Sequence, residues 1–187
     1  VNAARVEEPR DPAELVVRIS RMRRRHLRAV LRIEHQVYPR PWTAGVFSGE
    51  LAAKDGRCYV VAKVGGTLVG YAGLMMMAGD AHVTNIAVDP RWHRGKVGTR
   101  LLITLLRAAR LEGASRSTLE VRVSNKAAQR MYQQFGFAPV GVRPRYYENT
   151  EDAIVMWAES IDSPAYSDRL ASIEAGVPGV TLWEALP

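Results

Sequence analysis

One cysteine, Cys58, stands in a chain of 187 residues, which excludes an internal disulfide and any scaffold built on cysteine-ligated metal. It lies in the apolar run CYVVAKV, where a buried strand position suits it better than a catalytic thiol. Long hydrophobic runs are also missing. None nears the ~20 residues that a membrane-spanning helix needs, and the first residues carry Arg and Glu instead of a basic-then-apolar signal. No membrane partner and a reducing, cytoplasmic setting are therefore expected. The four histidines, His26, His35, His82 and His93, share no ligand spacing and no carboxylate cluster accompanies them, so no metal is expected.

What is present is unevenly charged. The net charge is +7, yet residues 1–32 hold nine arginines against four acids, which leaves +2 for everything else. The segment RMRRRHLRAVLR is thus the one electrostatic reason to expect contact with RNA or the ribosome, against the plainer reading of a strand and a solvated helix face. Residues 1–14, with Pro9 and Pro12 among charges, read as a flexible leader. Ordered structure is expected from Leu15: a strand in LVVRISRM, a helix around Leu27–Val37 closed by Pro39 and Pro41, and a second helix capped by Thr43. RCYVVAKV and LVGYAGLMMM, joined through Gly65-Gly66-Thr67, form a hairpin pattern, and HVTNIAV is a further strand. Leu101, Leu102, Leu105, Leu106 and Ala109 recur at helical spacing up to Gly113. STLEVRV returns to strand, Asn125 caps the helix KAAQRMYQQF, and APVGVR and AIVMWA close the pattern as two strands. Residues 159–187 form an extension in which Tyr166, Leu170 and Ile173 suit one short helix. The order is mixed α/β.

The most informative stretch is NIAVDPRWHRGKVGTRLL, a strand that enters a basic glycine-containing loop and then a helix. Such a crossing turns backbone N–H groups and the positive end of a helix dipole toward an anion, and a pyrophosphate fits. A P-loop would require Ser or Thr after Lys96, where Val97 stands. A Rossmann site would require a Gly-x-G-x-x-Gly run and a later acid, and both are missing. A tight turn before a core helix stays open on this segment alone.

The same string resembles the acetyl-CoA-binding motif of the GNAT superfamily, in which V-D-P leads to Q/R-x-x-G-x-G/A and a helix. LEVRVSNKAAQRMYQQFGF resembles the second signature of that superfamily, and VRPRYY with EDAIVM is similar to the end of the RimI-type ribosomal-protein-alanine N-acetyltransferases. The resemblance spans residues 15–158. It implies a GNAT fold, α+β, with a central mixed and mostly antiparallel sheet, flanking helices and a splayed strand pair for acetyl-CoA. It implies that Ile86, Ala87 and Val88 pair with the pantetheine arm, with an amide at or near Ile86 polarising the thioester. The loop Arg94, Gly95, Lys96, Val97, Gly98 and Thr99 would hold the pyrophosphate, and Asn125 would touch the CoA arm as well as cap its helix. Lys96 departs from the pattern by standing where the family has its first glycine. A positive φ there would cost lysine about 1 kcal/mol or more.

The resemblance also implies Glu120 as general base through water, where the plain alternative is an outward strand residue paired with Arg122 or Arg116. Tyr132 matches the tyrosine that protonates the leaving thiolate, against a core tyrosine under a helix. Tyr38, Trp42, Tyr146 and Tyr147 would border the acceptor. The expected activity is direct transfer of acetyl, in a ternary complex, to the N-terminal amine of a protein, an N-terminal Ala of a ribosomal protein being the implied acceptor. Transfer to a small amine, an antibiotic or a protein lysine, and an acetyl-CoA-sensing or ribosome-binding module without turnover, are the alternatives.

Overall fold

The computed structural model describes residues 11–53 and 55–184. The leader expected over residues 1–14 falls largely on residues 1–10, which lie outside the described residues. From Asp11 onward a 3₁₀ turn, Pro12–Glu14, is capped by the Asp11 carboxylate, which accepts from the Ala13 amide at 2.8 Å.

Among the described residues, eight strands and five α-helices follow. In chain order they are β1 (Val16–Arg21), α1 (Leu27–Val37), α2 (Ala44–Ala52), β2 (Arg57–Val64), β3 (Thr67–Met77) and β4 (Asp80–Val88). Then come α3 (Val97–Leu111), β5 (Arg116–Arg122), α4 (Lys126–Gln134), β6 (Ala138–Tyr147), β7 (Glu151–Ala158), α5 (Pro164–Ala175) and β8 (Val180–Trp183). Local chemistry sets the boundaries: Thr43, Asn125 and Ser163 accept backbone N–H bonds at the starts of α2, α4 and α5.

The strands form one sheet in the order β6-β7-β5-β4-β3-β2-β1-β8. Antiparallel pairs dominate, and the two parallel pairs are β4 with β5 and β1 with β8. One core lies on the face covered by α3 and includes Tyr132, Phe135 and Phe137 near α4. A second lies under α1 and α2, where Val30, Ile33 and Phe47 meet Tyr59, Val61 and Tyr71.

Two irregularities shape the middle of the sheet. β4 and β5 pair only from Asp80–Arg116 to His82–Thr118, and then part although both strands continue. Opposite Gly73 and Leu74 of β3, β4 carries one extra residue, Thr84, a bulge that sharpens the bend at the same point. The parallel pairing thus opens into the V that the resemblance implied.

The strand β8 has no counterpart in the sequence reading. It pairs in parallel with β1 from Val16–Val180 to Ile19–Trp183. Its approach is close at Gly179, where φ is +78° and a Cβ would come within 2.4 Å of the Leu15 carbonyl oxygen. The short helix expected around Tyr166, Leu170 and Ile173 is α5, with Tyr166 and Leu170 buried. Among the described residues, no helix is long and apolar enough to cross a membrane.

Candidate active site

The V between β4 and β5 widens into a cleft of about 960 Å³. Its walls come from the end of α1, from β4 and β5, from the start of α3, from α4 and from the β6–β7 turn.

On the β4 side, the Asp89 amide donates to the Val69 carbonyl at 2.8 Å, which fixes the alternation along the strand. In an antiparallel pair every second residue turns its N–H and C=O to the partner, so Ile86 and Val88 turn theirs to the open edge. Side chains meet the carbonyls there: the Tyr38 hydroxyl donates to Ile86 O at 3.0 Å, and the His93 ring lies 3.2 Å from Val88 O. The amides of Ile86 and Val88 face the same opening. Tyr38, expected only as an acceptor contact, is therefore also tied to the edge of β4.

The following loop is a 3₁₀ turn, Pro90–Gly95, started by Asp89, whose carboxylate accepts from the Arg91 amide and guanidinium at 2.6–3.1 Å. Those bonds, chiefly from the Arg91 side chain, hold the Asp89 carboxyl below the usual carboxylate range. Gly95 is required by packing, since a Cβ there would lie 2.7 Å from the Leu15 side chain. Lys96 then takes a left-handed conformation, φ 53° and ψ 26°, at the start of α3, with no side chain capping the helix. The amides of the first turn are consequently available to an anion. Gly98, with room for a Cβ at ordinary contact distance, keeps the approach open. Lys96, Gly98 and Thr99 line the cleft, whereas Arg94, Gly95 and Val97 do not; Gly95 and Val97 are buried. Uncapped α3 amides, the open-edge amides of β4 and flanking basic side chains form a donor set that fits the phosphates and amide arm of acetyl-CoA.

On β5, burial alternates: Leu119 and Val121 are buried, Thr118, Glu120 and Arg122 lie on the other face, and Glu120 and Arg122 line the cleft. Glu120 pairs with neither arginine that the plain alternative offered. Its side chain is 10% exposed, with one oxygen 3.3 Å from His82 Nε2 and the other 3.2 Å from the Arg143 guanidinium. His82 Nδ1 lies 2.8 Å from Thr118 Oγ1, so an Nε2–H tautomer accepts from threonine and turns its N–H side to Glu120 at ion-pair distance. Arg122 is occupied by Glu148 and Glu151 at 2.7–3.0 Å and stacks 4.1 Å from the Tyr147 ring centre. Arg116 pairs with Asp80.

Tyr132 lines the cleft from α4 and packs edge-on to Phe137 at 6.0 Å. Burial pushes its phenol up to about 12. Asn125 caps α4 through Oδ1, which accepts from the Ala128 amide at 3.1 Å. Two extra residues in β6 opposite β7, beside Pro144, bring Tyr146 and Tyr147 to the cleft rim as an edge-to-face pair, 5.1 Å apart. Trp42 lines the opposite side, its amide donating to Glu34 at 2.8 Å. Glu34 is buried and its second oxygen has no partner, so desolvation raises its carboxyl.

Glu34, His82, His93 and Arg143 were not among the candidate residues. His82 could have been found by noting that HVTNIAV and STLEVRV are both strands, since a parallel register sets His82 against Thr118, two residues from Glu120. Among the described residues no group of three or more potential ligands could hold a metal ion.

Comparison with known proteins agrees with this geometry. The N-alpha-acetyltransferase RimI of Mycobacterium tuberculosis is 41% identical over 127 residues, covering 65% of this chain and 78% of that protein. The ribosomal protein bS18-alanine N-acetyltransferase of Escherichia coli K12 is 33% identical over 143 residues, covering 74% of this chain and 94% of its own. The crystal structure of the E. coli ribosomal-protein-S18-alanine N-acetyltransferase superposes with a TM-score of 0.70 over 77% of this chain and 94% of that one, at 29% identity. Together with the acetyltransferase (GNAT) family model, which matches residues 27–137, the splayed strands and the uncapped helix start lead to one assignment: the chain belongs to the GNAT family and is an acetyl-CoA-dependent N-acetyltransferase.

Proposed function

We propose that the acceptor is the α-amine at a protein N-terminus, an N-terminal alanine of a ribosomal protein being the favoured one, and that Glu120 and Tyr132 carry the proton chemistry. The observation that carries this reading is the carboxylate of Glu120, nearly buried at the point where β4 and β5 part and oriented by His82. Acetyl-CoA supplies an activated acyl group and a thiol leaving group. The first-turn amides of α3 and the Lys96 ammonium would hold its phosphates, and the open-edge amides of Ile86 and Val88 would meet its arm and its carbonyl oxygen.

Glu120 accepts the proton that the amine loses, directly or through one water. An α-amine of pKa about 7.7–8.0 is roughly a tenth neutral at pH 7, and a lysine of pKa about 10.4 far less so, a difference of about 3.5 kcal/mol in deprotonation work. A carboxylate is a modest base and suits the easier amine.

At about 12, the Tyr132 phenol is fully protonated at neutral pH. Complete proton transfer to a thiolate of pKa about 8.5 would be uphill by roughly 5 kcal/mol. Tyr132 therefore acts by donating its O–H to the developing sulfur charge, with solvent completing protonation.

The discriminating assay compares an N-terminal alanine peptide with an N-blocked lysine peptide. Acetylation of the first and not the second is expected, and preference for lysine would overturn the acceptor assignment. Glu120→Gln should lower kcat by about 10²-fold or more while acetyl-CoA affinity stays within about twofold. Parallel loss of both would make Glu120 structural.

A further inference from the structure

Residues 15–33 contain seven arginines and no acidic residue. All seven, Arg18 and Arg21 on β1, Arg23 to Arg25 in the connecting 3₁₀ turn, and Arg28 and Arg32 on α1, are exposed. None forms a salt bridge among the described residues. The fold adds another cation by setting Lys63 of β2 directly opposite Arg18. Like charges at facing positions of an antiparallel pair are destabilising.

Alternation along β1 turns Arg21 to the other side of the sheet from Arg18 and Lys63; on the side that Arg18 shares with Lys63, three donors converge. The Arg23 amide, which can only donate, bonds to His26 Nδ1 at 3.1 Å. A neutral His26 therefore carries its hydrogen on Nε2. Around that Nε2 lie Lys63 Nζ at 3.2 Å and Arg25 Nε at 3.4 Å. Lysine ammonium and guanidinium have no acceptor capacity, so these contacts set donor against donor. Burial and then the charges of Lys63, Arg25 and Arg23 lower His26 to about 4, with Glu184 the one acid acting against them. An anionic oxygen is the kind of group that could accept from all three donors.

We propose that this face binds structured RNA, with one backbone phosphate seated among His26, Lys63 and Arg25 and the flanking arginines on neighbouring phosphates. Arginine's planar fork matches phosphate in two parallel bonds, which lysine cannot do, and the row here is arginine almost throughout. Its extent favours a polymer over a free anion. The arginines run from the sheet along the first turns of α1, a helix of about 16 Å. The far end of that helix, Val37 and Tyr38, lines the acetylation cleft. A protein N-terminus held beside RNA would thus be presented one helix length from the site. Binding of RNA does not depend on the acceptor assigned above, and failure of either reading leaves the other standing.

The test uses the full chain and a labelled RNA hairpin, titrated at several salt concentrations between 50 and 200 mM. The expected result is binding that weakens steeply with salt. The Arg25→Gln/Arg28→Gln/Lys63→Gln variant should bind at least tenfold more weakly and lose about two to three from the log–log salt slope. Removing like charges should leave its melting temperature no lower than that of the unsubstituted chain, and its acetyl-CoA affinity should not change. Lys63→Arg should retain binding. Absence of salt-dependent RNA binding overturns the proposal, as does unchanged binding by the triple variant. Inorganic phosphate binding without RNA binding would mark a small-anion site, anionic vesicles bound in preference to RNA would mark a membrane surface, and preference for a matched DNA duplex would exclude the RNA assignment.

Discussion

Lys96 shows how a single backbone angle can be anticipated in its consequence before it is seen. The motif calls for glycine, the sequence supplies lysine, and the structure puts that lysine at φ 53°. A left-handed non-glycine residue costs about 1 kcal/mol, so Lys96→Gly should raise unfolding free energy in urea by about that amount. If Lys96 contributes its ammonium to phosphate, the same variant should bind acetyl-CoA more weakly at low salt, and the two effects separate strain from charge. His82 makes a parallel case for position over chemistry. It lies between Thr118 and Glu120 and orients the carboxylate, so His82→Leu should lower kcat about tenfold with an unchanged KM for acetyl-CoA, and His82→Gln, which still donates, should recover part of the loss. Tyr132→Phe should lower kcat without altering acetyl-CoA affinity. Because the phenol is pushed up to about 12, the rate should show no falling limb from Tyr132 below about pH 10.

At the scale of elements, α3 carries two kinds of information, and only one was legible. Its leucines gave the helix, its length and its buried face. The polar residues Arg100, Thr104, Arg107 and Arg110 received no role from the sequence, because one sequence cannot show what covers them. They are the anchor for the chain's end: the Arg100 guanidinium donates to Thr181 Oγ1 and the Pro178 carbonyl, and Arg107 pairs with Glu174 at 2.6 Å. Arg110 donates to the Ile161 and Ser163 carbonyls, and Trp183 Nε1 donates to Thr104 at 3.2 Å. β8 was missed for the same reason, since VTLW is a four-residue run whose strand character comes from β1 beside it and not from its own pattern. The remaining strands and helices were readable because period-2 and period-3.6 runs were long and bounded by Pro, Gly, Thr or Asn. The cleft motifs were readable because their spacing is fixed by one strand–loop–helix crossing, whereas His82, Arg143 and Glu34 enter from elements brought together only by the sheet. Ending the chain after Val177 removes both acceptors of the Arg100 guanidinium and the β1–β8 pairing, and should lower stability by about 1.5–3 kcal/mol through the lost charged hydrogen bonds alone. Replacing Arg100 by Met should recover much of that loss in the shortened chain and destabilise the full one. Equal effects of Arg100→Met in both backgrounds would show that β8 does not hold this arginine.

For the whole molecule, the basic face around His26 lies on β1, β2 and the start of α1, while Glu50, Glu120 and Glu148, each with an ionic partner, line the cleft. The two regions should titrate in separate windows. His26 is neutral in the fold and lowered to about 4, by burial first and then by Lys63 and the arginines, whereas the unfolded chain takes up its proton near 6.5. Between those values the unfolded state binds more protons, so stability is lost as pH falls from about 6.5 toward 4. The ceiling is about 3.4 kcal/mol for 2.5 units, and screening of the exposed arginines should reduce it to about 1–2 kcal/mol. Glu151, held down to about 2 chiefly by Ser124 and then by Arg122, contributes stability above about 4.5 that is lost only as pH falls below that range. Acid unfolding followed by urea midpoints should therefore show two steps. His26→Gln should flatten the first and leave the second, and added salt should shrink the first only in part, since desolvation does not screen. A single step below pH 4.5, unchanged by His26→Gln, would show that burial and the neighbouring cations do not hold His26 down in the folded protein.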